Sequence, residues 1–440
     1  MIVCSHSASR SGRQAPSASR AGRAGGAPPP ESVSGVPPVP PEDRAVPRCP
    51  VVGTCGGCPW QPISYAAQLR LKRARLMGEI RTCTALRGLH VGEVQPVAGE
   101  PYGYRTKLQM PVGGRAGALE LGFFMPHRKE LVPVENCPVQ HPEGNRILRE
   151  AREILERAAI PPYDERRGHG TLRYLLLRID GSGRRAALTL VCKTDRIPRR
   201  AELAAALLRI RGVVSVALNV QPAASNVVLG PRTFRLAGLQ RVLVEVCGLR
   251  FLLSPQTFFQ TSAAGTEALV ATVLGLLEGP VGTLYDLYGG VGLFGRALAD
   301  RAGRVVIVEE SPAAVADAEA SLRLQAPRAP VELVRSPVEA FLRRFRLGRR
   351  PPGSEGTSGP GDAVVLDPPR AGAGEAAVRA IAERLAPARV LYVSCNPEAL
   401  VRDLGTFAAL GYQTHAIEPI DMFPHTPHLE CVALLTRGLP

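Results

Sequence analysis

Asp286-Leu-Tyr-Gly-Gly-Val-Gly-Leu-Phe294 decides the fold. The strand-like run TLYDLY (283–288) enters a cluster of glycines and leaves as the helical run LFGRALADRA (293–302). Glycines at that junction permit a tight turn and let a ligand come close to the backbone. Glu309 ends the next strand-like run, RVVIVEE (304–310), about 19 residues after Gly290. A carboxylate there can accept both ribose hydroxyls of an adenosine-containing ligand. The spacing suits a dinucleotide fold and an S-adenosylmethionine fold equally.

Outward from this turn the pattern is regular. A helix (GTEALVATVLGLL, 265–277) precedes it. After Glu309 come a helix (312–324), a strand ending in VLDPP (365–369), a helix (375–385) and the strand RVLYVSC (389–395). The βαβα order predicts an α/β domain, Rossmann-like, with a mostly parallel sheet covered on both faces. Upstream, helix-like runs at 65–80, 145–159 and 201–210 mix with strand-like runs at 172–179, 186–192, 213–220 and 242–253, as in an α+β domain. Residues 1–48, rich in Ser, Arg, Gly and Pro, are expected to be a disordered basic tail. The domains are therefore expected at 1–48 (tail), 49–250 (central) and 251–440 (catalytic), with a loop insertion at 343–361.

The chain has 440 residues, 45% hydrophobic and 21% charged, enough for a sizeable core and against wholesale disorder. No apolar run reaches the roughly 18 residues of a membrane span. A net charge of +15 points to an anionic partner such as RNA. Only Lys72, Lys107, Lys129 and Lys193 among 54 basic residues are lysine, a bias that a GC-rich coding sequence also produces. Ten cysteines are too few for a disulfide scaffold. Cys49, Cys55 and Cys58 cluster, and Cys137 follows in ENCPVQH. Four thiolates can close a zinc site or hold an iron–sulfur cluster, and spacing does not choose between them.

Two strand ends carry the chemistry. Cys395 follows RVLYVS, and Asp367 follows AVVL, both where ligands sit in open α/β sheets. With DLYGGVG, VLDPPRAG, YVSCNP and DMFPHTPHLECVALL in this order, and SPQTFFQ at 254–260, residues 49–440 resemble the RNA 5-methyluridine methyltransferases. The CGGC and CPV segments resemble the iron–sulfur branch that modifies uridines in 23S ribosomal RNA.

The resemblance implies S-adenosylmethionine as methyl donor, a [4Fe–4S] cluster on Cys49, Cys55, Cys58 and Cys137, and RNA as partner. It implies Cys395 as nucleophile and Glu430 as base, with His428 as the rival base. The cofactor pocket would be lined by Gln260, Asp286, Tyr288, Gly290, Glu309 and Asp367. A monomer in the cytoplasm, away from membranes, is expected. Transfer RNA as substrate, and a non-catalytic RNA-binding relative, are the alternatives. The sequence departs from the usual pattern at Gly289 (Cys or Ala), Ser262 (Asn) and Leu293 (polar). In 336–342 only Glu339 can supply the acidic group expected near adenine. Substrate grip is expected from basic segments such as Arg70-Leu-Lys72-Arg73 and Arg166-Arg167.

Overall fold

The computed structural model describes residues 36–128, 130–223, 227–345 and 361–438. The expected tail up to residue 35 and the expected insertion over 346–360 lie outside these residues. Packed chain begins earlier than the composition predicts. Val36 and Val39 lie against Trp60, Ile63 and Ala67, and Arg44 bridges Ile63. Prolines preset an extended backbone, which an apolar surface can then hold without a helix or strand.

Helix α1 (Tyr65–Thr82) is N-capped by the Ser64 hydroxyl, which accepts from Ala67 N. Its Leu76 and Ile80, with Val91 of strand β1 (His90–Val91), join the core cluster that contains Tyr285, Tyr392 and Leu435. β1 pairs in parallel with Ala416–Ile417. The helix and first strand thus complete the C-terminal layer, whereas the sequence placed them in the central domain.

The basic stretch on α1 is also corrected. Lys72 Nζ lies 2.6 Å from Asp421 Oδ1, with both side chains fully buried. Arg70 pairs with Asp43, and Arg73 pairs with Glu93 and donates to the carbonyls of Val91 and Gly92. Lys72 therefore holds the fold instead of facing a substrate, whereas the Arg70 side chain stays exposed. Lys72→Met would leave the Asp421 charge buried and alone. We expect a loss of about 3–5 kcal/mol in denaturant unfolding, much of it restored by the double change Lys72→Met/Asp421→Leu.

The central lobe contains β2 (Lys107–Arg115), β3 (Ala118–Phe124), β4 (Leu131–Pro133), α2 (Pro142–Arg157), β5 (Leu172–Ile179), β6 (Ala186–Cys192), α3 (Arg200–Leu208), β7 (Val213–Val220) and β8 (Arg232–Gly238). The strand order is β4-β3-β2-β5-β6-β7-β8. Only β6 and β7 run parallel, and α3 makes that crossover. The α2 residues Ile147, Leu148, Ala151 and Leu155 recur at helical spacing and pack with Leu108, Leu175 and Leu177 of the sheet. Gly144 lets α2 approach, since a Cβ there would lie 2.6 Å from Leu108 Cδ2.

A hairpin of β9 (Val242–Val246) and β10 (Leu249–Leu253) follows. Its two turn residues, Cys247 and Gly248, both have positive φ, as a tight hairpin turn requires. Val242, Val244, Phe251 and Leu253 pack with Leu269, Val273 and Leu284 of the catalytic core. The expected boundary at 250/251 therefore cuts a hairpin that belongs wholly to the C-terminal layer. Apolar packing, which the strand pattern alone does not reveal, moves the boundary before Val242.

The C-terminal layer continues as α4 (Ala263–Leu276), β11 (Val281–Leu287), α5 (Leu293–Ala297), β12 (Ala302–Glu309), α6 (Pro312–Leu324), β13 (Val331–Arg335), α7 (Val338–Leu342), β14 (Ala363–Leu366), α8 (Glu375–Ala380), β15 (Arg389–Ser394), α9 (Pro397–Ala409), β16 (Tyr412–Ile420) and β17 (Glu430–Arg437). The sheet order is β1-β16-β17-β15-β14-β11-β12-β13. All neighbours are parallel except β17, which runs against both β15 and β16. Between β11 and β14 the strand order reverses, and in open α/β sheets ligands bind beyond the strands' C-terminal ends at such a point. Among the described residues no helix is long and apolar enough to cross a membrane.

Candidate active site

The glycine turn follows β11 at that reversal. Tyr288, Gly290 and Gly292 have φ of 59°, 57° and 80°, so the chain turns through the left-handed region. A Cβ on Gly289 would lie 2.6 Å from Ile307 Cγ2, so Ile307 occupies the space a larger residue would need. Glu309 holds the turn, accepting from Gly290 N at 2.9 Å through Oε2 and from Ser311 N at 2.7 Å through Oε1. A carboxylate has about four acceptor sites, which leaves capacity for two hydroxyls. Asp286 is fully buried beneath the turn. Its Oδ2 accepts from Gly295 N at 2.8 Å, and its Oδ1 has no hydrogen-bond partner. Burial raises its carboxyl well above the usual range, the Gly295 bond opposes that, and the Asp367 and Glu309 charges add to it. Asp286 therefore shapes the turn from below.

Asp367 directly follows β14, half-buried, with Gln260 Nε2 3.5 Å from its Oδ2. Burial pushes the Asp367 carboxyl up to about 7. Cys395 follows β15, and Asn396 caps α9 by accepting from Glu398 N at 3.2 Å. In the β15–β17 ladder Ser394 faces Cys431. The next residues outward, Cys395 and Glu430, come together at the strand ends. Glu430 is 2% exposed and Cys395 half-buried. Burial raises both groups, Asp367 raises Glu430 further, Glu430 raises Cys395 further, and Arg370 opposes each shift.

The loop that leads into Glu430 is clamped by α1. The Gln68 side chain accepts from His425 N at 2.8 Å and lies 3.1 Å from its ring Nδ1, and Arg75 donates to Pro427 O at 2.8 Å. His428 packs edge-on against Phe423, with ring centres 6.1 Å apart. Partial burial, then the positive charges of Arg370, Lys72, Arg75 and Arg105, lower it to about 4.

Arg370 was not assigned from the sequence, although it stands in VLDPPRAG beside Asp367. Its carbonyl accepts from Asn396 Nδ2 at 3.0 Å, and its charge acts on Cys395, Glu430 and His428. The departures noted in the sequence have local reasons. Ser262 N-caps α4 by accepting from Gly265 N at 3.0 Å. Leu293 is buried in the core. Glu339 reaches the glycine turn, where Tyr288 Oη lies 3.3 Å from its Oε1.

A second cavity, of about 90 Å³, is lined by Cys49, Cys55, Cys58 and Cys137 together with Arg105, Gln61 and apolar groups. Asn145 fixes Cys137, accepting from its N–H at 3.3 Å and donating to its carbonyl at 3.0 Å. Burial raises Cys55, Cys58 (up to about 12) and Cys137. Among the described residues, no three His, Cys, Asp or Glu side chains are grouped so as to hold a metal ion.

Residues 240–438 match the family model described as tRNA (Uracil-5-)-methyltransferase. An RNA methyltransferase of Halalkalibacterium halodurans is 33% identical over 399 residues, 89% of this chain and 84% of its own length. One of Clostridium tetani is 31% identical, with 90% and 83% covered. The Pyrococcus abyssi tRNA (uracil-54, C5)-methyltransferase, solved in complex with S-adenosyl-L-homocysteine, aligns with a TM-score of 0.69 at 26% identity, covering 88% of this chain and 86% of that one. With identity above 30% over most of both chains, and a catalytic layer that matches the family model, the protein belongs to the RNA uracil-5-methyltransferase family and is an RNA (uracil-C5-)-methyltransferase.

Proposed function

We propose that the protein methylates C5 of a uridine in 23S ribosomal RNA from S-adenosylmethionine, with Cys395 as nucleophile and Glu430 as base. The observation that carries this is the meeting of Cys395 and Glu430 on neighbouring strand ends, β15 and β17, in the sheet whose glycine turn Glu309 holds. The cofactor supplies an electrophilic methyl group. Glu309 would take its ribose hydroxyls, and Glu339, beside Tyr288, would be the acidic group near its adenine. Gln260 and Asp367, 3.5 Å apart, would complete its surroundings.

C5 of uracil is a weak carbon nucleophile. Addition of the Cys395 thiolate to C6 forms a C–S bond and moves the electron pair towards C5 and O4. Once C5 carries the methyl group, Glu430 takes the C5 proton, the C5–C6 double bond returns and the C–S bond breaks. Burial gives Glu430 a raised pKa, which makes it the stronger base of the two candidates; His428, lowered to about 4, is the weaker. Arg370 opposes the upward shift of the Cys395 thiol and so favours the thiolate. The target base must leave its stack to reach these groups.

RNA carrying 5-fluorouridine at the target tests the reading. Addition and methylation proceed, but fluorine cannot leave as the proton does, so a covalent protein–RNA adduct should persist on a denaturing gel. No adduct from an RNA whose unfluorinated form is methylated would overturn the covalent route. Transfer RNA is the second reading, favoured by the similarity to the Pyrococcus abyssi tRNA (uracil-54, C5)-methyltransferase. Labelled methyl transfer to 23S rRNA and to tRNA, compared in parallel, separates the two.

We propose a [4Fe–4S] cluster for the four-cysteine cavity; what supports this is that all four thiols line one cavity, together with the resemblance of the CGGC and CPV segments. Cys49, Cys55, Cys58 and Cys137 would hold the cluster and tie the segment before α1 to the β4–α2 connection. By analogy with a disulfide closing a long loop, that tie contributes on the order of 4 kcal/mol. Replacing any one of the four by Ser should lower iron content and melting temperature before it lowers methylation. Stoichiometric zinc without iron in anaerobic protein would reject the cluster.

A further inference from the structure

Lys107 and Arg178 are Cα partners across β2 and β5, so two cations project from one face of the sheet. Like charges directly opposite each other are destabilising, and such a pair usually has a carboxylate between or beside it. Among the described residues neither forms an ion pair. Arg178 is 6% exposed, its Nη2 donates to the Thr257 carbonyl, and its Nε has no hydrogen-bond partner. The carboxylate that acts on it, Asp317, is already bound by Arg241, Ser254 and Thr257. Lys107 Nζ lies 5.9 Å from the ring centre of Phe258, which is 62% exposed.

This pair stands at the rim of the candidate active site. Thr106, next to Lys107, donates to the Thr261 carbonyl from its N–H at 2.7 Å and from its hydroxyl at 3.0 Å. The same segment carries Gln260, whose amide is 3.5 Å from Asp367. Arg178 and Gln260 line one crevice between the two lobes. Burial of Lys107 and the neighbouring charge of Arg178 both disfavour its charged form, pulling it down to about 7, and a nearby anion would reverse this.

We propose that Lys107 and Arg178 form an anion subsite that takes a backbone phosphate of the RNA strand beside the modified uridine. The subsite rests on the reading of the protein as an RNA uridine methyltransferase. It would draw the strand across Phe258 and deliver the adjoining nucleotide to the crevice. A phosphate satisfies both cations at once, because it offers several acceptor oxygens to a guanidinium and an ammonium.

The test measures binding of a short uridine-centred RNA, with S-adenosylhomocysteine present, from 50 to 200 mM salt. Each phosphate contact contributes about 0.7 to the slope of log K against log salt for single strands. Lys107→Gln should reduce the slope by about that amount and weaken binding about tenfold, while cofactor affinity stays at the wild-type value. Lys107→Arg should restore both. In the wild-type protein, one neutral methylphosphonate linkage next to the uridine should also weaken binding about tenfold, and it should cost nothing further in Lys107→Gln. An unchanged slope, or linkages that all count equally in the wild type, would overturn the subsite. The linkage series needs no variant, so it decides the matter even if Lys107→Gln does not fold. Failure of wild-type protein to methylate any uridine would instead remove the functional reading beneath it.

Discussion

Cys395→Ala should abolish methyl transfer, with a fall on the order of 10⁴-fold or more, and leave RNA and cofactor binding within a few fold. The expectation follows from its place. Cys395 is half-buried at the end of β15, beside Glu430 and within the influence of Arg370. Without sulfur no adduct forms at C6, and C5 keeps the low nucleophilicity of free uracil. Alanine occupies the same strand end without disturbing the Asn396 cap that starts α9, so the fold should persist. Because burial and the Glu430 charge raise the thiol, the wild-type rate should climb with pH as the thiolate forms, until another group limits it. Turnover by Cys395→Ala at the wild-type rate would remove the nucleophile assignment.

Glu430→Gln should stop the reaction one step later. Addition and methylation need the thiolate and the methyl donor, whereas elimination needs a base for the C5 proton. The expected signature is a covalent protein–RNA species with ordinary uridine, which the wild type shows only with 5-fluorouridine. The amide has nearly the same shape and does not ionise, so it also relieves the cost of a buried carboxylate that Asp367 raises further. The variant should therefore be at least as stable as the wild type above neutral pH. Its folded pKa is raised, so the stability this carboxyl contributes is present below its unfolded pKa and is lost as pH rises through the folded one. If His428→Ala accumulates the adduct and Glu430→Gln turns over normally, the two roles exchange.

Much of the site was legible because its signals are local. The glycine turn, the strand ends at Asp367 and Cys395, and Glu309 after the second strand depend on backbone periods of 2 and 3.6 residues and on turn chemistry. The order of the catalytic elements followed from the same periods. The motifs carried the family, and its membership is shown by relatives that span most of the chain. Arg370 was visible in its motif yet silent, since nothing in VLDPPRAG says which charge an arginine will face.

What the sequence determined by itself was the α/β layer, the glycine turn after β11 and the strand-end positions of Asp367 and Cys395. The tertiary structure alone decided where other groups act, because their partners are remote in the chain. Lys72 looked like part of an RNA-facing run, but its partner Asp421 lies 349 positions away and buries it. α1 and β1 looked central, but their apolar faces meet Tyr285 and Leu435. Lys107 and Arg178 are unremarkable in sequence and become opposed only through the β2–β5 register. Hydrophobic burial has no direction along the chain and is settled by which surfaces meet. The fate of a charge follows from that meeting, since burial with a partner makes it structural and burial without one leaves it in need of an anion.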